Sequence, residues 1–375
     1  MQNTNWVVLS RNERLGRWGH HVRFLSCAAL WIALLADAEP GFTQTTSGAQ
    51  NLQLTPDARA QGMGRAFTAV AEGATAQWWN PGALALQRDR IYVNPFSYSK
   101  LVPDLADNVW WYHSGAVADF GPYGVGAHFR RLSYGESSAT DAEGKNLRTF
   151  TSSEYTLYLG AGVNLVEVFA PELTGFQLGI GANWKHARVD LAPAWATTSG
   201  KAGKGNVTDL DFGVLGKTGR RFENGKVIVS AGWTLKNALD QEIEYGGQNQ
   251  RDPIFRSARI GVAASVALGE SPLFGDLFAA TVSFDADDQP SDNTTIKHTG
   301  IEVTGLGIFS VRYGKINDPD GDVVDNTTGF GVGFSSAMSP KGTRFGFSID
   351  RAEVPQASGL DRVNHTSGQF WLQFP

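Results

Sequence analysis

Alternation of apolar with small or polar residues, repeated along most of the chain, constrains this sequence more than any other feature. In 276–286, Phe278, Ala280, Val282 and Phe284 alternate with Ala279, Thr281, Ser283 and Asp285. In 175–186, Phe176, Leu178, Ile180, Ala182 and Trp184 alternate with Gln177, Gly179, Gly181, Asn183 and Lys185. In 344–350, Phe345, Phe347 and Ile349 alternate with Arg344, Gly346, Ser348 and Asp350. Period two belongs to a strand whose faces meet different media. The spacing predicts fourteen strands, at 89–99, 108–119, 122–134, 153–168, 175–191, 206–220 and 226–238 in the first half. The second half supplies 254–269, 276–286, 293–303, 307–316, 325–337, 342–352 and 364–374.

The connections between these segments alternate in length. Those after odd strands are long, as at 135–152, 192–205 and 239–253, and those after even strands are short, as at Phe120-Gly121, Asn224-Gly225, Gly305-Leu306 and Pro340-Lys341. A transmembrane barrel keeps this parity because its turns are short on one side and its loops long on the other. A soluble sandwich has no reason to keep it. The expected fold is therefore all-β, a 14-stranded antiparallel transmembrane β-barrel, and the even strand number places both termini on the periplasmic side. The last strand ends Phe370-Trp371-Leu372-Gln373-Phe374, an aromatic close of the kind such barrels carry. Composition agrees: 44 Gly, 22 Phe, 11 Trp and 9 Tyr with only 18% charged residues suit strands better than helices. A net charge of −5 gives no basic footprint, so no nucleic acid is expected as partner.

The beginning of the chain reads as an export signal over 1–38. Arg11, Arg14, Arg17 and Arg23 precede an apolar run from Phe24 to Leu35, and Ala36-Asp37-Ala38 resembles a cleavage site. The run is too short to cross a bilayer as a helix. The single cysteine, Cys27, falls inside it, so disulfides and thiol chemistry are not expected of the exported chain. Residues 39–87 then form an N-terminal extension, and 88–375 the barrel. Within the extension, helix-forming patches at 56–60 and 66–72, Gly62 and Gly64 for close approach, and no alternation predict a partly helical hatch inside the lumen. Pro81 ends its second helical piece, because the residue before a proline is steered out of the α region.

The extension also carries a motif. Ala58-Arg59-Ala60-Gln61-Gly62-Met63-Gly64-Arg65-Ala66-Phe67-Thr68, followed by Ala76-Gln77-Trp78-Trp79-Asn80-Pro81-Gly82-Ala83-Leu84, resembles the N-terminal plug of an outer-membrane barrel superfamily. That superfamily holds the FadL-like transporters of hydrophobic compounds and the PorV/PorQ-like proteins. Gly62-Met63-Gly64 and the run 66–71 sit closer to the PorV/PorQ branch. The chain departs at 80–84, where the family usually has Ala before Gly, and at Arg65, where a small residue is usual. The resemblance implies the outer membrane of a Gram-negative-type bacterium, with outer-membrane lipid and lipopolysaccharide as surroundings.

Candidate site residues follow. Arg59, Gly62, Gly64, Trp78, Trp79, Asn80 and Pro81 are the hatch and ligand-gating candidates, with packing and backbone hydrogen bonding as the alternative role of Trp78, Trp79 and Asn80. Inward positions carry His128, Arg130, Lys185, Asp209, Asp211, Arg259, His298, Glu302, Arg312, Arg344 and Asp350. They are expected to pair mainly between wall and hatch, since isolated buried charges are costly. Tyr158, Leu215 and Trp371 are the apolar lumen candidates. Arg131 points outward by parity, where it could meet lipopolysaccharide phosphate, unless a kink at Gly124 or Gly126 turns the strand. No hydrolase, zinc or nucleotide motif occurs, so neither an enzyme, a cofactor nor a metal is expected. Asp318, Asp320, Asp322 and Asp325 lack the spacing of a calcium loop and read as an acidic external turn.

Three functions fit. The first is passive passage of hydrophobic small molecules, in the manner the FadL resemblance implies. The second is a PorV-like accessory of secretion that binds exported protein cargo through external loops such as Leu101-Val102-Pro103 and Pro193-Ala194-Trp195. The third is a structural surface barrel with a sealed lumen.

Overall fold

The computed structural model describes residues 47–374 apart from 88–89, 104–105, 107, 141–143, 198, 247–250, 272–274, 291–293, 337–338, 340–341 and 358. The signal read in 1–38, Cys27 and the Pro340-Lys341 turn lie outside the described residues. The strands are β1 (Arg90–Lys100), β2 (Val109–Phe120), β3 (Tyr123–Thr140), β4 (Asn146–Asn164), β5 (Phe176–Ala192), β6 (Gly203–Phe222) and β7 (Gly225–Lys236). A two-stranded hairpin, β8 (Glu242–Glu244) and β9 (Arg251–Pro253), interrupts the series. It resumes with β10 (Ser257–Ser271), β11 (Gly275–Gln289), β12 (Thr294–Gly305), β13 (Phe309–Asp318), β14 (Val323–Ser335), β15 (Arg344–Val354) and β16 (Val363–Gln373). Apart from β8 and β9, every strand pairs with its chain neighbours, and β1 pairs with β16 to close an antiparallel barrel of fourteen strands.

Closure leaves two surfaces. Outward positions are apolar and exposed around the circumference, among them Val125, Leu159, Ile180, Phe212, Val262, Val282, Val311, Val332 and Phe347. An apolar belt this continuous needs a lipid to cover it, and the closed ladder leaves no strand edge unpaired, so the barrel is of the membrane-spanning kind. Inward positions are mainly Gly, polar or charged, with apolar exceptions such as Trp111, Tyr158, Leu215 and Ile316. We call the end where Arg90 pairs with Gln373 proximal, and the opposite end distal.

The connections depart from strict parity. The loop expected at 135–152 is mostly ladder, because β3 and β4 keep pairing past the belt, with register shifts between Ser133 and Glu136 and between Ala139 and Thr140. Two proximal connections are longer than expected: one holds a short helix, Leu165–Phe169, and the other runs from Ser336 to Thr343.

The chain from Ser47 to Gln87 runs inside the barrel. Gly48 donates to Pro253 O (2.9 Å) beside the distal hairpin, and Gln87 N donates to Asp119 Oδ2 (2.6 Å) near the proximal end of β2. The segment therefore threads the lumen from distal to proximal. Strand parity does bring Arg90 and Gln373 to one end, but Ser47, where the described chain begins, lies at the other; an even strand count says nothing of a segment that crosses the lumen before the first strand. Its helices are short: Ala58–Gly62, Ala76–Trp79 and two 3-10 turns, Gln50–Leu52 and Pro81–Leu86. The helix expected at 66–72 does not form. Phe67 N and Thr68 N both donate to Asp285 Oδ2 on β11 (3.0 and 2.9 Å), which draws those amides to the wall and away from a helical ladder.

Glycine lets the segment touch the wall. An added Cβ at Gly124 would strike the Leu84 carbonyl, at Gly181 that of Pro81, and at Gly232 would come within 2.7 Å of Thr68 O. These inward glycines replace side chains with room for the segment's own backbone.

Candidate functional site

The segment and wall meet in two chemically different zones. The first is aromatic and dry. Trp78 and Trp79 pack edge to face (4.7 Å, 83°), and Phe67 meets Trp79 at 5.5 Å. Arg130 of β3 lies over the rings of Trp78, Trp111 and Tyr158 at 5.5, 5.0 and 5.8 Å, and donates to Tyr158 Oη (3.3 Å) and the Leu54 carbonyl. Lys236 sits over Trp78 and Arg259 over Trp79. Cation–π contact keeps these desolvated charges supplied with electron density where no water reaches. Trp111 Nε1 donates to Asn51 Oδ1 (2.9 Å), which ties β2 to the segment's first turn.

The second zone is a charged cavity of about 260 Å³ at the proximal end, between the segment and β1 with β12–β16. Its centre is a chain of ion pairs. Arg59 binds Glu302 bidentately (2.8 and 2.7 Å) and Glu72 with its third nitrogen (2.6 Å). Arg312 donates to Glu302 (2.6 Å) and pairs with Asp350 (2.8 Å). Burial alone opposes the Arg59 charge, yet Glu302 and Glu72 outweigh it and hold the guanidinium well above its ordinary range. Asp57, the N-cap of Ala58–Gly62, accepts from Arg59 N (2.9 Å) and Thr75 Oγ1 (2.9 Å). Burial, then Asp350, raises its carboxyl above the usual 3.8.

The sequence candidates divide between these zones. Trp78, Trp79, Tyr158 and Leu215 belong to one buried apolar cluster. Asn80 has no free group: its amide donates to Thr68 O (3.2 Å) and Val214 O (2.9 Å), and its Oδ1 accepts from Gly82 N (3.0 Å). Pro81 starts the 3-10 turn that lies on β2–β6. Gly62 presses on Gly329, and Gly64, with φ +63°, lies so close to β12 and β13 that an added Cβ would come within 2.5 Å of Thr299 O. Arg59, Arg312 and Trp371 line the cavity. Trp371 lies between Arg90 (4.6 Å) and Arg344 (5.9 Å), and Arg344 also donates to Ser336 O (2.9 Å) and Ser335 Oγ (2.8 Å). The three apolar lumen candidates thus do not form one pocket.

One expectation about charge is corrected and one holds. Most buried ion pairs run along the wall: Lys185 with Asp211, Arg259 with Asp287, and Arg312 with Glu302 and Asp350. Adjacent strands bring these side chains within reach at no cost in loop closure. The segment is held instead by wall carboxylates that accept its backbone N–H groups, Asp285 as above and Glu154 from Gln50 (3.2 Å) and Asn51 (2.7 Å). Arg131 does face outward, since β3 pairs without a break from Tyr123 to Ser133 and has no kink at Gly124 or Gly126.

β1 is irregular in mid-strand. Its register shifts between Val93 and Phe96 against β16 and between Asn94 and Ser97 against β2. Pro95 has no N–H for the ladder, and Asn94 Nδ2 donates to Gly368 O (2.7 Å) across the seam. Asn94 lines the cavity, while Phe96 is exposed on the outside. Only the proline signalled this bulge in the sequence. Among the described residues no three His, Cys, Asp or Glu converge as for a metal; Asp318 accepts from Gly321 N (3.0 Å) and Asp325 pairs with Arg362 (2.7 Å).

Fold and site together define a fourteen-stranded β-barrel with the segment from Ser47 to Gln87 in its lumen. No family model matches the chain, and no curated protein matches its sequence. Solved barrels with which it shares a similar fold include a Pseudomonas aeruginosa FadL homologue, at 12% identity over 85% of this chain and 97% of that one, with a TM-score of 0.43. The Pseudomonas putida toluene transporter TodX is 10% identical over 84% and 96% of the two chains (TM-score 0.39). CdiB from Acinetobacter baumannii is 9% identical over 76% and 60% (TM-score 0.40). The hydrogen-bonded ladder, rather than any of these similarities, defines the fold.

Proposed function

We propose that this chain is an outer-membrane barrel for passive passage of hydrophobic small molecules, with residues 39–87 acting as a hatch that closes the lumen at rest. The observation that carries the reading is the cavity beside the β1 bulge. A lumen filled by its own N-terminal segment cannot serve as a wide aqueous pore. The lining of the cavity is polar, which makes it a vestibule for water and not the seat of a hydrophobic ligand. An apolar solute would cross the wall where the ladder is weakest, at the β1–β16 seam, passing between Asn94 and Phe96 to the apolar belt. Arg59, Gly62, Gly64, Trp78, Trp79, Asn80 and Pro81 position the hatch in this reading, and gating acts through Arg59 at the vestibule. TodX, one of the similar barrels, is a toluene transporter, which accords with this reading.

The test is uptake of a monoaromatic hydrocarbon by cells with and without the barrel, and with a cysteine pair at Ala74 and Gln369. Ala74 N donates to the Gln369 side chain (2.8 Å), so a pair there joined by a short, reducible bis-thiosulfonate linker pins the hatch to β16. Uptake is expected to rise with the barrel, fall on cross-linking and recover on reduction. Equal uptake in cells that lack the barrel defeats the proposal.

A second reading has its own observation. The β3–β4 ladder continues beyond the belt and carries exposed Leu147, and Arg148 and Phe150 pack on Trp195 (5.7 and 5.9 Å). Such a distal aromatic surface suits a PorV-like cargo partner, the branch to which Gly62-Met63-Gly64 is nearer. Recovery of exported proteins on the extracted barrel, without hydrocarbon uptake, selects it; neither result leaves the structural surface barrel.

A further inference from the structure

We propose that Arg131 and Arg188 form a binding site on the outside of the barrel for the phosphate of a phosphorylated lipid in the distal leaflet. The proposal rests on the outer-membrane reading above. Arg131 belongs to the outward set of β3, directly beyond Phe129, and Leu157 is the outward neighbour of Phe129 on β4. It therefore stands at the distal edge of the apolar belt, where lipid head groups begin and an outward arginine costs little.

The side chain is held in place. Its guanidinium lies 5.0 Å from the Trp110 ring and 5.2 Å from the Tyr155 ring, both on the same outer face. Tyr155 pairs across the ladder with Arg131 on one side and with Arg188 on the other, so one row carries Arg131, Tyr155 and Arg188. Two interstrand spacings put the arginine backbones about 10 Å apart, within reach of one phosphorylated head group for two long side chains. Neither arginine has a carboxylate partner among the described residues. Asp190, the outward acid one position further along the face from Arg188, is taken by Lys204 (2.7 Å).

Two guanidinium groups without a carboxylate partner among the described residues, one of them held between aromatic rings, in a chain of net charge −5, are not a general basic surface. They present planar donors of the geometry that phosphate accepts bidentately. The patch continues without a break into Phe129 and Leu157, against which acyl chains pack. A free anion gains nothing from those residues, which selects a lipid over inorganic phosphate.

The test is native mass spectrometry of the full-length barrel in mild detergent with a bis-phosphorylated lipid A as probe. Its dephosphorylated form and inorganic phosphate serve as comparisons. The wild-type barrel is expected to retain the phosphorylated lipid at least tenfold better than the dephosphorylated one. R131Q/R188Q is expected to lose that preference while keeping heat-modifiable migration on a gel. Where the double variant does not fold, R188Q, which changes only an exposed side chain, and the comparison of the two lipids on wild type decide. Equal retention of the dephosphorylated lipid, an unchanged preference in the variants, or displacement by equimolar inorganic phosphate each overturns the site. Hydrocarbon uptake by the same variants is expected to be unchanged, so failure of this site and failure of the transport reading are told apart.

Discussion

Around the proximal half of the lumen, two arcs of wall face the same N-terminal segment and solve the contact differently. On β3–β5, glycines lie beneath Pro81–Leu86, and backbone rests on backbone with no space between. On β12–β16, charged side chains of opposite sign meet Arg59 and leave a cavity. The first arc gains dispersion contact and excludes water, so it fixes the segment rigidly. The second holds it through the bidentate Arg59–Glu302 pair, whose bonds water can replace one at a time. A segment so held is hinged on the glycine arc and releasable on the charged one. In the hatch reading proposed above, the cavity side opens first.

The largest effect is expected from Arg312→Met. Glu302 keeps Arg59, but Asp350 loses its cation inside the barrel, and breaking a buried pair from one side costs about 3–5 kcal/mol. Urea unfolding of the detergent-solubilised barrel measures it. A loss under about 1 kcal/mol means that water already screens the network and that the charged arc contributes nothing to closure.

The glycine arc is tested by a matched pair. Gly181→Val drives a side chain into the Pro81 carbonyl and is expected to cost about 1–3 kcal/mol by overpacking. Gly333→Val, on the cavity side where an added Cβ meets Phe347 O at 3.4 Å and Ser348 Cβ at 3.6 Å, both ordinary contacts, is expected to cost less than about 1 kcal/mol. Equal losses in the same unfolding assay erase the difference between the arcs.

Asn80→Ala comes next. It removes two bonds to buried carbonyls and the acceptor for Gly82 N, at about 2 kcal/mol for groups left unpaired. Limited proteolysis reads the outcome directly, since a loosened segment is cut between 70 and 80 before the barrel is. No change in cleavage means that Trp78 and Trp79 hold the segment without Asn80.

Much of this architecture was legible from alternation. Period two in Phe278–Asp285 or Phe345–Asp350 reports burial on one face and lipid on the other, and each residue signals for itself. What alternation did not reveal is which inward residue meets which. Gly62-Met63-Gly64 read as a close approach, but the partners Gly329 and Gly314 are hundreds of residues away, and inward glycines look like strand breakers until a backbone is laid on them. The helix expected at 66–72 failed for a similar reason, because Asp285 captures its amides from a distant strand. The path of the segment from distal to proximal was also hidden, since strand parity counts crossings of the wall and not of the lumen.

The smallest effect concerns pH and tests the charged arc alone. Burial, and secondarily Asp350, raises the Asp57 carboxyl above 3.8, against the opposing pull of Arg59 N–H, the Arg59 charge and Thr75. The folded barrel therefore binds this proton more tightly than the unfolded chain does. Its contribution to stability is fully present below the unfolded value and is lost as pH rises through the raised folded value. Asp57→Asn keeps the cap on Arg59 N but cannot ionise. Between pH 4 and 8, wild type is expected to lose heat resistance relative to Asp57→Asn as the pH rises, with the gap levelling once Asp57 is ionised in the folded state. Glu72, Glu302, Arg312 and Asp350 face the same cavity and are common to both proteins, so their titration cancels in the difference. Parallel midpoints across this range would show that Asp57 is ionised at no cost, and that water in the vestibule already reaches the base of Ala58–Gly62.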